Sequence, residues 1–395
     1  MTSTQVSSQC VKLCHLPSEL PCNIEQLGNA DLAEPDAKEQ ISKLIREFEI
    51  DVAYADRCLQ KSIRRNAAYL IPEAEQSTLP SRAQAILGRY AVVDTLALRY
   101  RKRTTSIFIG LLAIAFFAMM ILEFFAHILL ELPVGAKARL VLWLYPALWL
   151  TALGLWYLAH SRLYQKKYHD YRALAEGLRV QFFWNLLGLS DRVEENYLRK
   201  QQGELEWIRC AIAWWHDHDE KTIPAVELSA EQRTAQKELV CRCWVQGQLD
   251  YFTKAAPREG HRGKRCKRWG AVLFWTSFGL AIILGAIQTE HIMHASADTH
   301  SKPSTEESAL IFAIAMFLTG AAIAVAYGEK MAFSEHTRQY AATRVLFHRH
   351  ALLLKAGPLT PAEIEIFRTL GKEALQENGD WLLLHRDRPL EIVVP

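Results

Sequence analysis

Neither sign of charge dominates this 395-residue sequence: 46 Lys and Arg stand against 43 Asp and Glu, a net charge of +3. That balance provides no field to attract a polyanion, so no nucleic-acid partner is expected. Cysteine is sparse, at eight in the whole chain. With no secretory apolar core at the start, those thiols are expected to be reduced and cytosolic, not a disulfide framework. A Gly-rich phosphate loop, a nucleophile elbow and an HExxH helix are all missing. No enzyme activity and no cofactor are therefore expected. Strand patterning is also lacking, apart from a short "LEIVV" near the end.

Charge is missing locally as well, from four windows: Ile107 to Phe125, Leu140 to Ala159, Trp269 to Ile287 and Ala309 to Tyr327, where Glu123 is the one acid. A helix rises about 1.5 Å per residue and a hydrocarbon core is about 30 Å thick, so about twenty apolar residues cross it. Each window is apolar all round, without the charged stripe of a surface helix. Trp143, Trp156, Tyr157, Trp269 and Tyr327 collect at the window ends, where amphipathic rings favour the headgroup level. The fold class expected is an all-α integral membrane protein, with four transmembrane helices as two hairpins and long cytoplasmic helical extensions.

Basic residues set the orientation. Arg99, Arg101, Lys102 and Arg103 precede the first window; Arg162, Lys166, Lys167 and Arg172 follow the second; Lys264, Arg265, Lys267 and Arg268 precede the third. The intervening loops hold only Lys137 and Arg139, and Lys302. A multi-pass protein of the cell inner membrane is expected, with both termini cytoplasmic. Its segments read as a flexible 1–35, cytoplasmic helices over 36–103, a hairpin over 104–160, a cytoplasmic helical region over 161–268, a second hairpin over 269–328 and C-terminal cytoplasmic helices over 329–395.

The halves look alike. Tyr171 falls 31 residues after Leu140, Tyr340 falls 31 after Ala309, and an acid precedes tryptophan at Glu206-Trp207 and Asp380-Trp381. Either the chain is a duplicated unit, giving parallel repeats about an axis along the membrane normal, or two membrane hairpins followed by amphipathic helices merely look similar. No Pro or Gly interrupts Leu158 to Glu176 or Glu329 to Lys355, so the second and fourth helices are expected to continue as stalks. An apolar face of Leu163, Tyr164, Tyr168, Tyr171, Leu174 and Leu178 asks for a partner, expected to be a helix from Asp191 to Trp215. Ala37 to Leu70 reads as one helix. Helix starts are marked at Ser229 with Gln232, running to about Phe252, and at Thr360, Pro361 and Glu363.

Few residues carry candidate chemistry. Glu123 and His127 lie one turn apart on one face; they either line a pore or reach the headgroups from the outer end. Thr151, Thr276, Ser277 and Thr319 add polarity, or bond helix carbonyls. Gly320, Ala324 and Gly328 form a small-residue stripe for an oligomer or a tight hairpin. His216 and His218 are weak metal candidates, able to chelate together only in a loop or strand; the alternative is a solvated helix end. Cys10, Cys14, His15 and Cys22 are either a loose metal knuckle or unstructured thiols. No metal is expected.

In "YRALAEGLRVQFFWNLLGL", "ENYLRKQQGELEWIRCAI" and "LGKEALQENGDWLLLHRDRPLE", the chain resembles the membrane portions of bacterial SLOG-associated proteins and SLATT-type effectors. The residues carrying the likeness are Tyr171, Leu174, Ala175, Glu176, Trp207, Trp381, His385 and Arg386. The resemblance runs from about Tyr90 onward. It implies a membrane effector of a prokaryotic defence or nucleotide-signalling system, oligomeric and pore-forming or membrane-perturbing. Without a SLOG domain at its N-terminus, such a chain would need a soluble sensor in trans. The alternative class is a non-conducting scaffold or receptor subunit in the lipid bilayer.

Overall fold

The computed structural model describes residues 13–17, 35–129, 136–198, 205–224, 228–294 and 304–386, and every regular element among them is helical. The loop around Lys302, Cys10, Cys22 and the strand expected in "LEIVV" lie outside the described residues. The chain forms two units, one of Met1–Lys102, Tyr164–Lys254 and Tyr340–Pro389, the other of Arg103–Leu163, Ala255–Gln339 and Leu390–Pro395.

In the first unit, α1 (Pro35–Cys58) and α2 (Gln60–Leu70) replace the single helix expected from Ala37 to Leu70. The break is at Leu59. There the Gln60 side-chain amide donates to the Asp56 carbonyl at 2.6 Å, taking the acceptor that the helix ladder would use. A short α3 (Glu73–Gln76) leads to α4 (Ser81–Phe124). The hub of the core is α6 (Tyr164–Leu186), buried on nearly every side. Tyr171 meets Phe48 of α1 and Tyr100 of α4, each with ring centres about 5.6–5.7 Å apart. It also meets Trp207 of α8 (Glu206–Thr222), at 6.3 Å. The one helix expected from Asp191 to Trp215 is instead α7 (Val193–Asn196) followed by α8.

Both expected helix starts are present as capping boxes. Ser229 opens α9 (Ala230–Val240), exchanging bonds with Gln232. Thr360 opens α13 (Pro361–Arg386): its hydroxyl accepts from Glu363 N at 3.3 Å and its own N–H donates to the Glu363 carboxylate at 3.0 Å. Helix α9 does not stop near Phe252; it passes through a π-helical segment, Cys241–Gln246, into α10 (Gly247–His294). Residues 13–17, within the stretch expected to be flexible, are held: Cys14 and Leu16 are fully buried, and Arg89 donates to the Leu13 carbonyl at 2.7 Å. Cys210 departs from the expectation of reduced thiols, because it is disulfide-bonded. Its side chain is fully buried.

Four helices are long and apolar enough to cross a membrane, and their apolar stretches are mostly unburied by the protein itself. Two have been placed as α4 and α10; the others are α5 (Leu144–Ser161) and α11 (Thr305–Lys330). In the second unit, α10 and α11 run antiparallel at close range. The Cys266 thiol donates to the Ala324 carbonyl at 2.9 Å, and the Ser277 hydroxyl donates to the Ile314 carbonyl at 3.0 Å. Helix α11 also meets α4, through Phe312 on Phe124 and Tyr327 on Phe108, with ring centres 6.3 and 6.4 Å apart.

The stalks expected to run unbroken are each interrupted once. After α5, Leu163 adopts φ +50°; after α11, Ala332 adopts φ +49°, before α12 (Phe333–Leu353) begins. The closing bonds match as well, Arg162 N and Leu163 N to the Leu158 and His160 carbonyls, and Met331 N and Ala332 N to those of Tyr327 and Glu329. Leu163 and Ala332 are 169 positions apart, as are Tyr171 and Tyr340, Gly110 and Gly279, and the buried Ala152 and Ala321. A matched backbone break at the spacing of the matched tyrosines supports the duplicated unit over coincidental likeness. A left-handed residue other than glycine costs about 1–2 kcal/mol, so the surrounding structure must hold it there. Ala332→Gly is therefore expected to leave stability within about 1 kcal/mol, whereas the β-branched Ala332→Val loses about 2 kcal/mol or more; thermal unfolding in detergent reads both.

Candidate functional site

The intramembrane candidates separate into two groups. Glu123 and His127 do meet: His127 Nε2 lies 3.4 Å from Glu123 Oε2, the two side chains 34% and 21% exposed. His127 belongs to a π-helical turn, Phe125–Leu129, that ends the first apolar run. Such a turn widens the helix by one residue and exposes backbone carbonyls, which suits a polar side chain at the end of an apolar span. The remaining hydroxyls are not gathered around this pair. Thr151 bonds back to the Ala147 carbonyl at 2.8 Å, Ser277 is spent on Ile314, Thr276 is exposed and Thr319 half-buried. Nor is the small-residue stripe free. A side chain at Gly320 would meet Leu273 at 3.3 Å and one at Gly328 would meet Cys266 at 3.4 Å, so Gly320, Ala324 and Gly328 serve the close approach of α10 and α11. On this face the stripe meets α10 of its own chain.

In the first unit, the residues of the resemblance are structural. Leu174 and Ala175 are fully buried. Glu176 accepts from Arg179 at 2.7 Å and also pairs with Arg172, which reaches Asp94 at 3.1 Å, while Arg179 donates to the Tyr90 hydroxyl at 2.8 Å. Burial pushes the Tyr90 phenol up to about 12 and raises the Asp94 carboxyl despite the two guanidiniums beside it. Tyr171 donates to Asp51 at 2.6 Å, as does Tyr100, and Lys167 completes the group at 2.9 Å. Burial and the Asp51 charge push the Tyr171 phenol well above its ordinary value. Asp51 thus ties α1, α4 and α6 together through three donors.

Glu206 and Trp207 begin α8. Glu206 is fully buried and accepts from Arg209 at 2.9 Å. Trp381 and His385 stack one turn apart on α13, ring centres 4.4 Å apart, with His169 5.7 Å from Trp381; Arg386 is the last residue of α13. His216 and His218 both lie within α8, where neighbouring-but-one residues point to different sides. His216 contacts Gln181 at 3.2 Å and His218 stacks on Trp214, so they do not chelate together. His15 turns to Glu49 at 2.8 Å, and among the described residues no cluster of His, Cys, Asp or Glu has the makings of a metal site.

Periodicity does not single out the strongest polar contacts. Arg89, itself buried, makes two bonds to Asp219 and lies over the Trp215 ring. Lys237 donates to both oxygens of Glu363 at 2.7 and 2.8 Å and to the Gly357 and Pro358 carbonyls. Each pair joins residues more than a hundred positions apart, so only long-range packing reveals it. No protein-family model, no curated protein and no solved structure matches this chain.

Proposed function

We propose that this is a multi-pass protein of a cell inner membrane, with two transmembrane hairpins, both termini in the cytoplasm and no catalytic activity of its own. It acts as an effector in a prokaryotic defence or nucleotide-signalling system. A soluble sensor bound to its cytoplasmic helices triggers it, and oligomers then open or perturb the bilayer. The observation that carries this reading is the Glu123–His127 pair, in which an acid in the last turn of α4 meets a histidine of the π-helical turn that ends the first apolar run. The left-handed interruptions at Leu163 and Ala332 supply places where a cytoplasmic shift changes backbone direction.

A second reading, a non-conducting scaffold or receptor subunit, draws support from Ser277, whose hydroxyl is committed to a helix carbonyl, and from Thr276 on an outward surface. Ion flux from liposomes separates the two. A conducting effector releases dye or ions when its trigger protein is added, and Glu123→Gln with His127→Ala changes ion selectivity by about tenfold or abolishes flux. A scaffold keeps the vesicles tight with every candidate trigger and retains partner recruitment in the double variant.

A further inference from the structure

Four cations on α10 lack a counter-charge. Lys264, Arg265, Lys267 and Arg268 are all exposed, and none makes an ion pair or side-chain hydrogen bond among the described residues. Neighbouring acids do not serve them: Glu259 holds Arg258 and Arg262 at 3.4 and 3.0 Å, and the exposed Glu329 pairs with none of the four. The helix has two faces here. Gly263, Cys266 and Gly270, at spacings of three and four, turn inward: a side chain at Gly263 would meet Phe333 at 3.0 Å, the Cys266 thiol donates to the Ala324 carbonyl, and a side chain at Gly270 would meet Ala324 at 3.7 Å. With about 3.6 residues per turn, Lys264, Arg265 and Arg268 fall on the opposite side and Lys267 at its edge.

The other copy of the repeat provides the contrast. Its equivalent positions are Thr95, Leu96, Leu98 and Arg99 of α4. There the protein supplies the cover: Thr95 and Leu96 are buried, Arg99 lies over the Tyr54 ring at 4.0 Å, and only Leu98 is exposed. In the second copy all four positions are charged and open, a face that suits an anion and not an apolar protein surface. Trp269, 58% exposed, follows directly, and beyond it runs an apolar stretch that the protein leaves mostly uncovered. From Lys264 to Arg268 the helix rises about 6 Å. That matches the depth of one headgroup layer, about 5–7 Å beside a hydrocarbon core of about 30 Å. We infer that this face of α10 binds the phosphates of anionic phospholipids, with Trp269 marking where the acyl chains begin. Continuity favours lipid over an acidic protein: the cations border the uncovered apolar run with no residue between, at a level lipid already occupies. The inference rests on the reading that α10 crosses a bilayer.

The test reconstitutes the full chain in phosphatidylcholine vesicles carrying a trace of spin-labelled phosphatidylglycerol or spin-labelled phosphatidylcholine. The share of each held immobile against the protein gives their relative affinity. The wild type should prefer phosphatidylglycerol by about fivefold or more, the contribution of one cation at a charged surface. Replacing Lys264, Arg265, Lys267 and Arg268 together by Gln should remove most of that preference, whereas Arg258→Gln/Arg262→Gln, which takes cations already engaged by Glu259, should keep it. A preference unchanged in the folded four-site variant overturns the inference. Should that variant fail to fold, the wild type still decides: a phosphatidylglycerol with a photoreactive headgroup must leave adducts on residues 261–269, and adducts confined to other segments overturn it. Immobilised lipid without preference, the result an acidic protein partner would give, removes the lipid site and keeps the bilayer reading; no immobilised lipid of either kind removes both.

Discussion

Lys237→Met is expected to destabilise the first unit by about 3–5 kcal/mol, because it strands the buried Glu363 carboxylate that Lys237 neutralises. The pair is nearly inaccessible on both sides, with side chains 2% and 7% exposed, so water cannot take over. Burial alone would raise the Glu363 pKa. The hydrogen bonds from Lys237, from the Lys355 and Thr360 backbone and from the Thr360 hydroxyl outweigh it and hold the carboxyl down to about 2, from an ordinary 4.5. The sign follows from that depression. The contribution is present in full above about 4.5 and is lost as pH falls toward about 2, roughly 3 kcal/mol in all. Thermal unfolding in detergent at pH 7 and pH 4 checks both statements: the wild type should weaken on acidification, and Lys237→Met should weaken less. The double variant Lys237→Met/Glu363→Leu should recover most of the loss, since an apolar pair removes the stranded charge. If the single variant unfolds like the wild type, the pair is not what fastens α13 to α9.

Gly371→Ala has the other large expected effect. A methyl at Gly371 would lie 2.4 Å from Trp184 Nε1 and 2.5 Å from its ring carbons. Trp184 is almost wholly buried on α6, and its indole N–H donates to the Phe367 carbonyl at 3.2 Å. To make room, the ring must leave a packed site and give up that bond. Overpacking of about 1–3 kcal/mol adds to the loss of a buried hydrogen bond, about 1–3 kcal/mol. The expected outcome is early release of α13 by limited proteolysis and a lower unfolding temperature. Trp184→Leu alone should destabilise through its cavity, but should reduce the penalty of Gly371→Ala when combined with it. Simple additivity of the two would show that the glycine is not there for the indole.

The apolar helices and the capping boxes are legible from sequence because each depends on neighbours along the chain. Twenty dry residues, or a Ser and a Gln three positions apart, declare themselves. The break at Leu59 is less visible, since it turns on which acceptor the Gln60 amide selects. Leu163 and Ala332 give no sign at all, because the left-handed region usually calls for glycine or asparagine, and leucine and alanine are good helix formers. His216 and His218 have a metal-like spacing, but α8 keeps its helical course through them and separates the rings. The small-residue stripe is visible as a place of close approach, yet nothing in its spacing says that the neighbour is α10 of the same chain and not another molecule. Asp51 reads as one more charge on an amphipathic face; its three donors arrive from helices far along the chain.

The left-handed residue at Leu163 also serves as a depth gauge. Where the helical ladder is cut, carbonyls of the last turn need another partner, and hydrocarbon offers none. If α5 crosses a bilayer, the peptide after Arg162 must sit at or beyond the level of the phosphates. At its other end the 18 residues of α5, about 27 Å of rise, are continued by the 3-10 turns of Ala136–Trp143, so the span has helical length in reserve only on that side.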